Sequence, residues 1–123
     1  MRSAVWGVFA RNELPTSLFP GGYIVNSEDR GSAGEHWLAV YVTEDGQVEF
    51  ADSLGRKPTD YELNLNCTYY SAPVQLDSSR NCELYVLYYL FWRTRGVPMH
   101  VIMATLNKEN NDTTVETHFA LLS

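Results

Sequence analysis

Residues 84–92, LYVLYYLFW, form an unbroken apolar and aromatic run. From Cys82 to Arg95 the chain carries no proline or glycine, Gly96 and Pro98 follow as stop signals, and Ser78, Ser79 and Asn81 offer N-caps ahead of it. The pattern predicts a helix over 82–95. Because its apolar side chains cover every face, this helix is expected to be surrounded by protein, as the central helix of its domain. At 123 residues the chain suits one domain spanning 1–123, long enough for a single core. The apolar run falls well short of the roughly 20 residues that span a bilayer.

The strongest β signal is HWLAVYVT (36–43), the turn Glu44-Asp45-Gly46, and QVEFADS (47–53). Its register matters, because a slip of one residue turns every side chain to the other face. A two-residue Asp45-Gly46 turn would pair Val42 with Glu49 and put Asp52 on the face opposite His36. A three-residue turn, with Gly46 left-handed in a G1 bulge, pairs Thr43 with Gln47, Val42 with Val48 and Val40 with Phe50. The apolar matches favour the second register. It sets Asp52 opposite Leu38, on the face of His36 and diagonal to it, where neighbours lie about 7–8 Å apart. A hydrogen bond between the two side chains is then within reach.

Elsewhere, residues 4–9 read as a first strand, Pro15 and Pro20-Gly21-Gly22 as loop punctuation, 23–26 as a short extended segment and 27–35 as a polar loop. Residues 55–66 read as a short helix or irregular crossover, 67–72 as a strand, 97–106 as a strand or a helix-to-loop return, and 107–112 as a polar link. Thr113-Thr114-Val115-Glu116 fits a capping box and predicts a terminal helix over 114–121.

A net charge of −6 provides no basic footprint, which disfavours nucleic acid and anionic membrane as partners. Two cysteines, Cys67 and Cys82, lack the dense spacing of a disulfide scaffold, so a reducing compartment is expected. MRSAVWGVFA has no long apolar core or cleavage site and is not read as a signal peptide. The expected location is intracellular, and the sequons at Asn66 and Asn111 are read as chance matches. Cys67, Cys82, His36, His100 and His118 have no metal-ligand spacing, so neither metal nor cofactor is expected. The tyrosines at 69, 70, 85, 88 and 89, without basic neighbours, read as packing rather than base-stacking residues, Cys67 as a buried strand residue, and Trp37 as packing behind His36.

His36, Asp52, Gln75 and Cys82, in that chain order, are the parts of a thiol hydrolase. A helix N-terminus beside an imidazolium lowers a thiol pKa from about 8.5 into the range 3.5–7.5. Cys82 has the helix and His36 would be the imidazole, with Asp52 on its other ring nitrogen to fix the tautomer. Gln75 would direct its amide, together with the backbone N–H of Cys82, at a developing oxyanion. Alone, Cys82 reads equally as the first buried residue of a helix.

These residues, with GVFARNELP (7–15), PGGYIVN (20–26), GEHWLAVYV (34–42), FADSLGR (50–56), Ser79 and a weaker LNKENNDTTVETHF (106–119), give a sequence that resembles the adenovirus-type (adenain-like) cysteine endopeptidases. That branch includes the ubiquitin-like-modifier proteases, and the closest likeness is to versions carried by large DNA transposons and related viruses. The resemblance implies an α+β fold, a central mixed β-sheet packed against a buried helix with the cysteine at its N-terminus. It also implies His36 as general base, Asp52 as its orienting acid, Gln75 as oxyanion donor and Cys82 as nucleophile. The implied substrate is polypeptide, cleaved near glycine in viral or transposon structural precursors, in host cytoplasm, nucleus or virion. Some viral members use a basic peptide and DNA as activators, and the acidic balance here gives no support for DNA. Viral members carry further residues before the first motif, and the family has glycine where this chain has Glu83. A carboxylate there suits the helix macrodipole but opposes a thiolate and a forming oxyanion. The alternatives are therefore a weakly active or inactive binding module of the same fold, or a protease that deconjugates ubiquitin-like modifiers.

Overall fold

The computed structural model describes residues 5–27, 36–61, 63, 65–67, 69–70, 73, 82–106 and 111–122. The chain is α+β: among the described residues five strands form one mixed sheet and three helices follow. The strands are β1 (Val5–Ala10), β2 (Gly21–Asn26), β3 (Trp37–Val42), β4 (Val48–Ala51) and β5 (Tyr69–Tyr70), in the spatial order β1-β2-β3-β4-β5. The β2–β3 and β3–β4 pairs are antiparallel, and the two outer pairs are parallel.

The β3–β4 hairpin has the three-residue turn. Val42 lies opposite Val48 and Val40 opposite Phe50. Thr43 N–H donates to Gln47 O at 2.9 Å, Gly46 N–H to Thr43 O at 2.9 Å, and Gly46 sits at φ +85°. Glycine meets that left-handed geometry without the Cβ clash other residues suffer.

Both faces of the sheet are covered. Even-numbered positions Leu38, Val40, Val42 and Phe50 pack with Tyr23, Val25, Tyr61 and Leu63. Odd-numbered Ala39, Tyr41 and Ala51 pack against the helices α1 (Cys82–Arg93), α2 (Met99–Thr105) and α3 (Asn111–Leu122). Gly22 allows α1 close to β2, since a Cβ there would lie 2.9 Å from a Leu90 methyl. Three tyrosines of α1 each donate to a different element: Tyr85 to Asp112 of α3 at 2.5 Å, Tyr89 to Glu49 of β4 at 2.6 Å, and Tyr88 pairs with Thr105 of α2 at 2.8 Å. Arg93 adds Nε and Nη2 contacts to Glu49 at 2.8 and 3.2 Å and lies over the Tyr41 ring. Those tyrosines are packing residues. The side chains of Tyr69 and Tyr70 lie outside the described residues.

The helix α1 ends in a Schellman motif: Val97 N–H donates to Trp92 O and Gly96 N–H to Arg93 O, both at 3.1 Å, with Gly96 at φ +88°. Several sequence expectations need correction. The helix is not enclosed on every side, because Glu83 and Leu87 are exposed and Phe91 is half-buried under the Arg95 guanidinium. An all-apolar run carries no polar stripe to show which side faces out. Of the two readings of 97–106, a strand or a helix-to-loop return, the strand is excluded: residues 99–105 form a helix. The last helix begins at Asn111, so Thr114 and Glu116 lie inside it rather than in a capping box. Cys67 is half-buried and precedes β5 instead of lying within a strand. No helix among the described residues is long and apolar enough to cross a membrane.

Candidate active site

The hairpin register carries into the site. Pairing of Ala39 with Ala51 places Asp52 one step beyond β4 and His36 one residue before β3, at the same end of the sheet. His36 Nε2 lies 2.5 Å from Asp52 Oδ1, with the two side chains 11% and 0% exposed.

Asp52 is held by the turn that it opens. Its Oδ1 accepts the Leu54 N–H at 3.0 Å, its Oδ2 the Arg56 N–H at 3.1 Å, and its carbonyl the Gly55 N–H at 2.8 Å. This is an Asx-type turn, for which aspartate is suited. Gly55 sits at φ +75° against Pro73, where a Cβ would come within 2.8 Å of the Pro73 nitrogen. Glycine is thus required twice, by backbone conformation and by close approach. The Tyr61 hydroxyl donates to Oδ2 at 2.5 Å, from a 3-10 turn over Pro58–Tyr61. Donors from His36, Leu54, Arg56 and Tyr61 all converge on this carboxylate, whose two oxygens can each accept more than one bond. Burial alone would raise the Asp52 pKa; hydrogen bonds from His36, Tyr61 and Leu54 and the charge of His36 hold it below the ordinary range.

Cys82 is the first residue of α1 and is buried. The His36 ring and the backbone N–H groups of Trp37 and Glu83 lie close enough to the Cys82 sulfur to favour the thiolate. With Nε2 on Asp52, the ring nitrogen left for the thiol is Nδ1. Burial pushes the thiol up, but the His36 hydrogen bond, the Trp37 N–H, the His36 charge and the Glu83 N–H together lower it. Burial likewise works against a charged His36, yet the Asp52 and Cys82 contacts raise its pKa from 6.5 to about 9. Each contact favours the charged form of its group over that of a free side chain: imidazolium for His36, carboxylate for Asp52 and thiolate for Cys82. Cys67 shows the contrast: burial alone pushes its thiol up to about 11.

His36, Asp52 and Cys82 therefore come together as their order and spacing suggest. Gln75 and Ser79 lie outside the described residues; Pro73, against Gly55, is the described residue nearest to Gln75 in sequence. Trp37 is half-buried and packs on the helical side of the sheet. Glu83 is exposed. Sequence reasoning missed Tyr61, whose ring stacks on His36 at 5.9 Å between centroids and 25° between planes. Its signal was available: it is the one aromatic residue in the polar segment 55–66. The described residues contain no group of three or more His, Cys, Asp or Glu side chains able to hold a metal ion.

No protein-family model matches the chain, and no curated protein matches it.

Proposed function

We propose that this protein is a cysteine endopeptidase of the adenain type, with Cys82 as nucleophile, His36 as base and acid, and Asp52 as the group that orients His36. One observation carries the reading: a single imidazole bonds a buried carboxylate through Nε2 and lies beside the thiol at the head of α1, so that its charge and hydrogen-bonding capacity act on both. In the reaction the Cys82 thiolate attacks a peptide carbonyl carbon and the carbonyl oxygen takes the negative charge. Collapse of that intermediate breaks the C–N bond as the His36 imidazolium gives its proton to the leaving amine. Neutral His36 then takes a proton from water, whose oxygen attacks the thioester and releases the carboxylate product and the thiol. Gln75 and the Cys82 backbone N–H are the proposed oxyanion donors, and the substrate is a viral or transposon structural precursor cut near glycine, both on the strength of the family resemblance.

A second reading has its own support. Glu83 is exposed beside the nucleophile, where its charge opposes thiolate and oxyanion alike, as expected of a binding module that holds a glycine-containing tail without turnover. A peptide electrophile ending in glycine tests both. Labelling at Cys82, with cleavage of a glycine-containing precursor abolished in Cys82→Ala, supports the peptidase. Full cleavage by Cys82→Ala rejects it. Binding without cleavage, and cleavage appearing in Glu83→Gly, supports the binding module. Offering a ubiquitin-like conjugate separates a deconjugating activity from precursor processing.

A further inference from the structure

Tyr61 belongs to the hydrophobic layer yet reaches the polar site. Its ring packs with Phe50 and the β-sheet side chains of its layer, and only 8% of the residue is exposed. From that anchorage its hydroxyl donates to Asp52 Oδ2 at 2.5 Å while its ring lies nearly parallel to the His36 imidazole. One side chain thus touches both members of the acid–base pair.

We propose that Tyr61 is a positioning residue of this site, holding the second oxygen of Asp52 and backing the His36 ring so that the pair keeps one orientation and the carboxylate stays ionised. This rests on the peptidase reading of the site. A carboxylate can turn about its last torsion and an imidazole can flip, and either motion would separate the ring from the thiol. The backbone donors of the 52–56 turn give each carboxylate oxygen one bond, Leu54 to Oδ1 and Arg56 to Oδ2; Tyr61 adds a second, shorter bond to Oδ2, as His36 does to Oδ1. Burial and the Asp52 charge keep the phenol far from ionisation, so it acts as a permanent donor. Around the pair, the charged and titratable groups among the described residues are Cys82 beyond the imidazole, the Arg56 side chain near the Tyr61 hydroxyl, and Arg11, whose Nη1 lies 3.5 Å from the Tyr61 carbonyl oxygen.

The test is the pH profile of Cys82 alkylation by iodoacetamide, located by peptide mapping, in wild type, Tyr61→Phe and Tyr89→Phe. Tyr89 makes an equivalent buried hydroxyl–carboxylate bond, to Glu49 at 2.6 Å, away from the site. A hydroxyl donated to a carboxylate favours the charged form, so its loss raises the pKa. Thiol, imidazole and carboxylate titrate as a unit, and the acid inflection of the profile is expected to rise by about one pH unit in Tyr61→Phe. It is expected to stay in place in Tyr89→Phe. An unmoved inflection in a folded Tyr61→Phe overturns the proposal and leaves Tyr61 as core packing. If that variant does not fold, a fluorinated tyrosine at 61, a stronger donor of similar volume, is expected to move the inflection down; no movement again overturns it. A wild-type profile like that of an ordinary thiol would instead reject the site reading itself, a separate outcome.

Discussion

Replacing Asp52 with asparagine keeps the shape of the side chain and removes one acceptor oxygen. The carboxylate receives His36 Nε2–H and Leu54 N–H on Oδ1, and Tyr61 O–H and Arg56 N–H on Oδ2. Whichever way the amide turns, its NH2 group faces two donors. Each bond to a charged acceptor is worth about 1.5–3 kcal/mol, so the loss is about 3–6 kcal/mol. The titration of His36 offers an independent estimate. Its pKa is raised from 6.5 to about 9, and a shift of about 2.5 units corresponds to about 3 kcal/mol, shared between the Asp52 and Cys82 contacts. A raised histidine stabilises the fold fully below the unfolded value near 6.5, and that contribution disappears as pH rises through 9. The depressed Asp52 contributes above its ordinary 3.8 and loses its effect as pH falls through the folded value. The His36 and Asp52 shifts together are therefore expected to stabilise wild type most between about pH 4 and 6.5, and the lowered Cys82 pKa acts with the opposite sign above that window, offsetting the loss of the His36 contribution toward pH 9. In Asp52→Asn, His36 can recover one bond by taking the tautomer with Nε2 bare, which puts the proton on Nδ1, facing Cys82. The ring then cannot accept the thiol proton, and turnover is expected to fall by about 10³- to 10⁴-fold, the scale seen when a triad histidine is held in the wrong tautomer. NMR titration of the His36 ring with urea unfolding between pH 5 and 9 reads both effects. A His36 pKa still near 9 in Asp52→Asn would refute the reasoning.

Two glycines with positive φ separate conformation from crowding. Gly46→Ala has nothing within 4 Å of the new Cβ and is expected to cost about 1 kcal/mol in urea unfolding. Gly55→Ala meets Pro73 as well, so a cost of about 3 kcal/mol and slower Cys82 alkylation are expected; equal costs for the two would deny the crowding. Glu49→Gln strips the charge from a buried carboxylate that pairs with Arg93 and Tyr89, for an expected loss of about 3 kcal/mol. Its alkylation profile should match wild type, and a changed profile would mean that this pair is coupled to the site.

The hairpin was legible because two independent signals agreed: the apolar matches Val42–Val48 and Val40–Phe50, and a glycine where a G1 bulge needs one. That register put His36 and Asp52 on one face and made their contact possible, while the 52–56 turn and Tyr61 orient the carboxylate that makes it. Cys82 at the head of α1 was legible from the change in composition at that point. The open side of α1 was not, since burial of Tyr85 and exposure of Leu87 depend on where α2 and α3 pack. The segment MHVIMAT, with β-branched residues and no strong periodicity, was ambiguous between strand and helix until its docking on α1 decided it. Tyr61 escaped because a tyrosine in a polar stretch shows no partner until the 52–61 segment folds back on itself. Glu49 sat among apolar strand residues, and its meaning depends on Arg93, forty-four positions away in sequence.

The central claim is that the Cys82 thiol yields its proton to His36, and the rate of Cys82 alkylation as a function of pH measures that most directly. The expected rate holds nearly level as pH drops below 7, while Cys67, half-buried and with its thiol pushed up to about 11, stays unreactive over the same range. A Cys82 rate that falls about tenfold for each pH unit below 8.5, as for a free thiol, would contradict it.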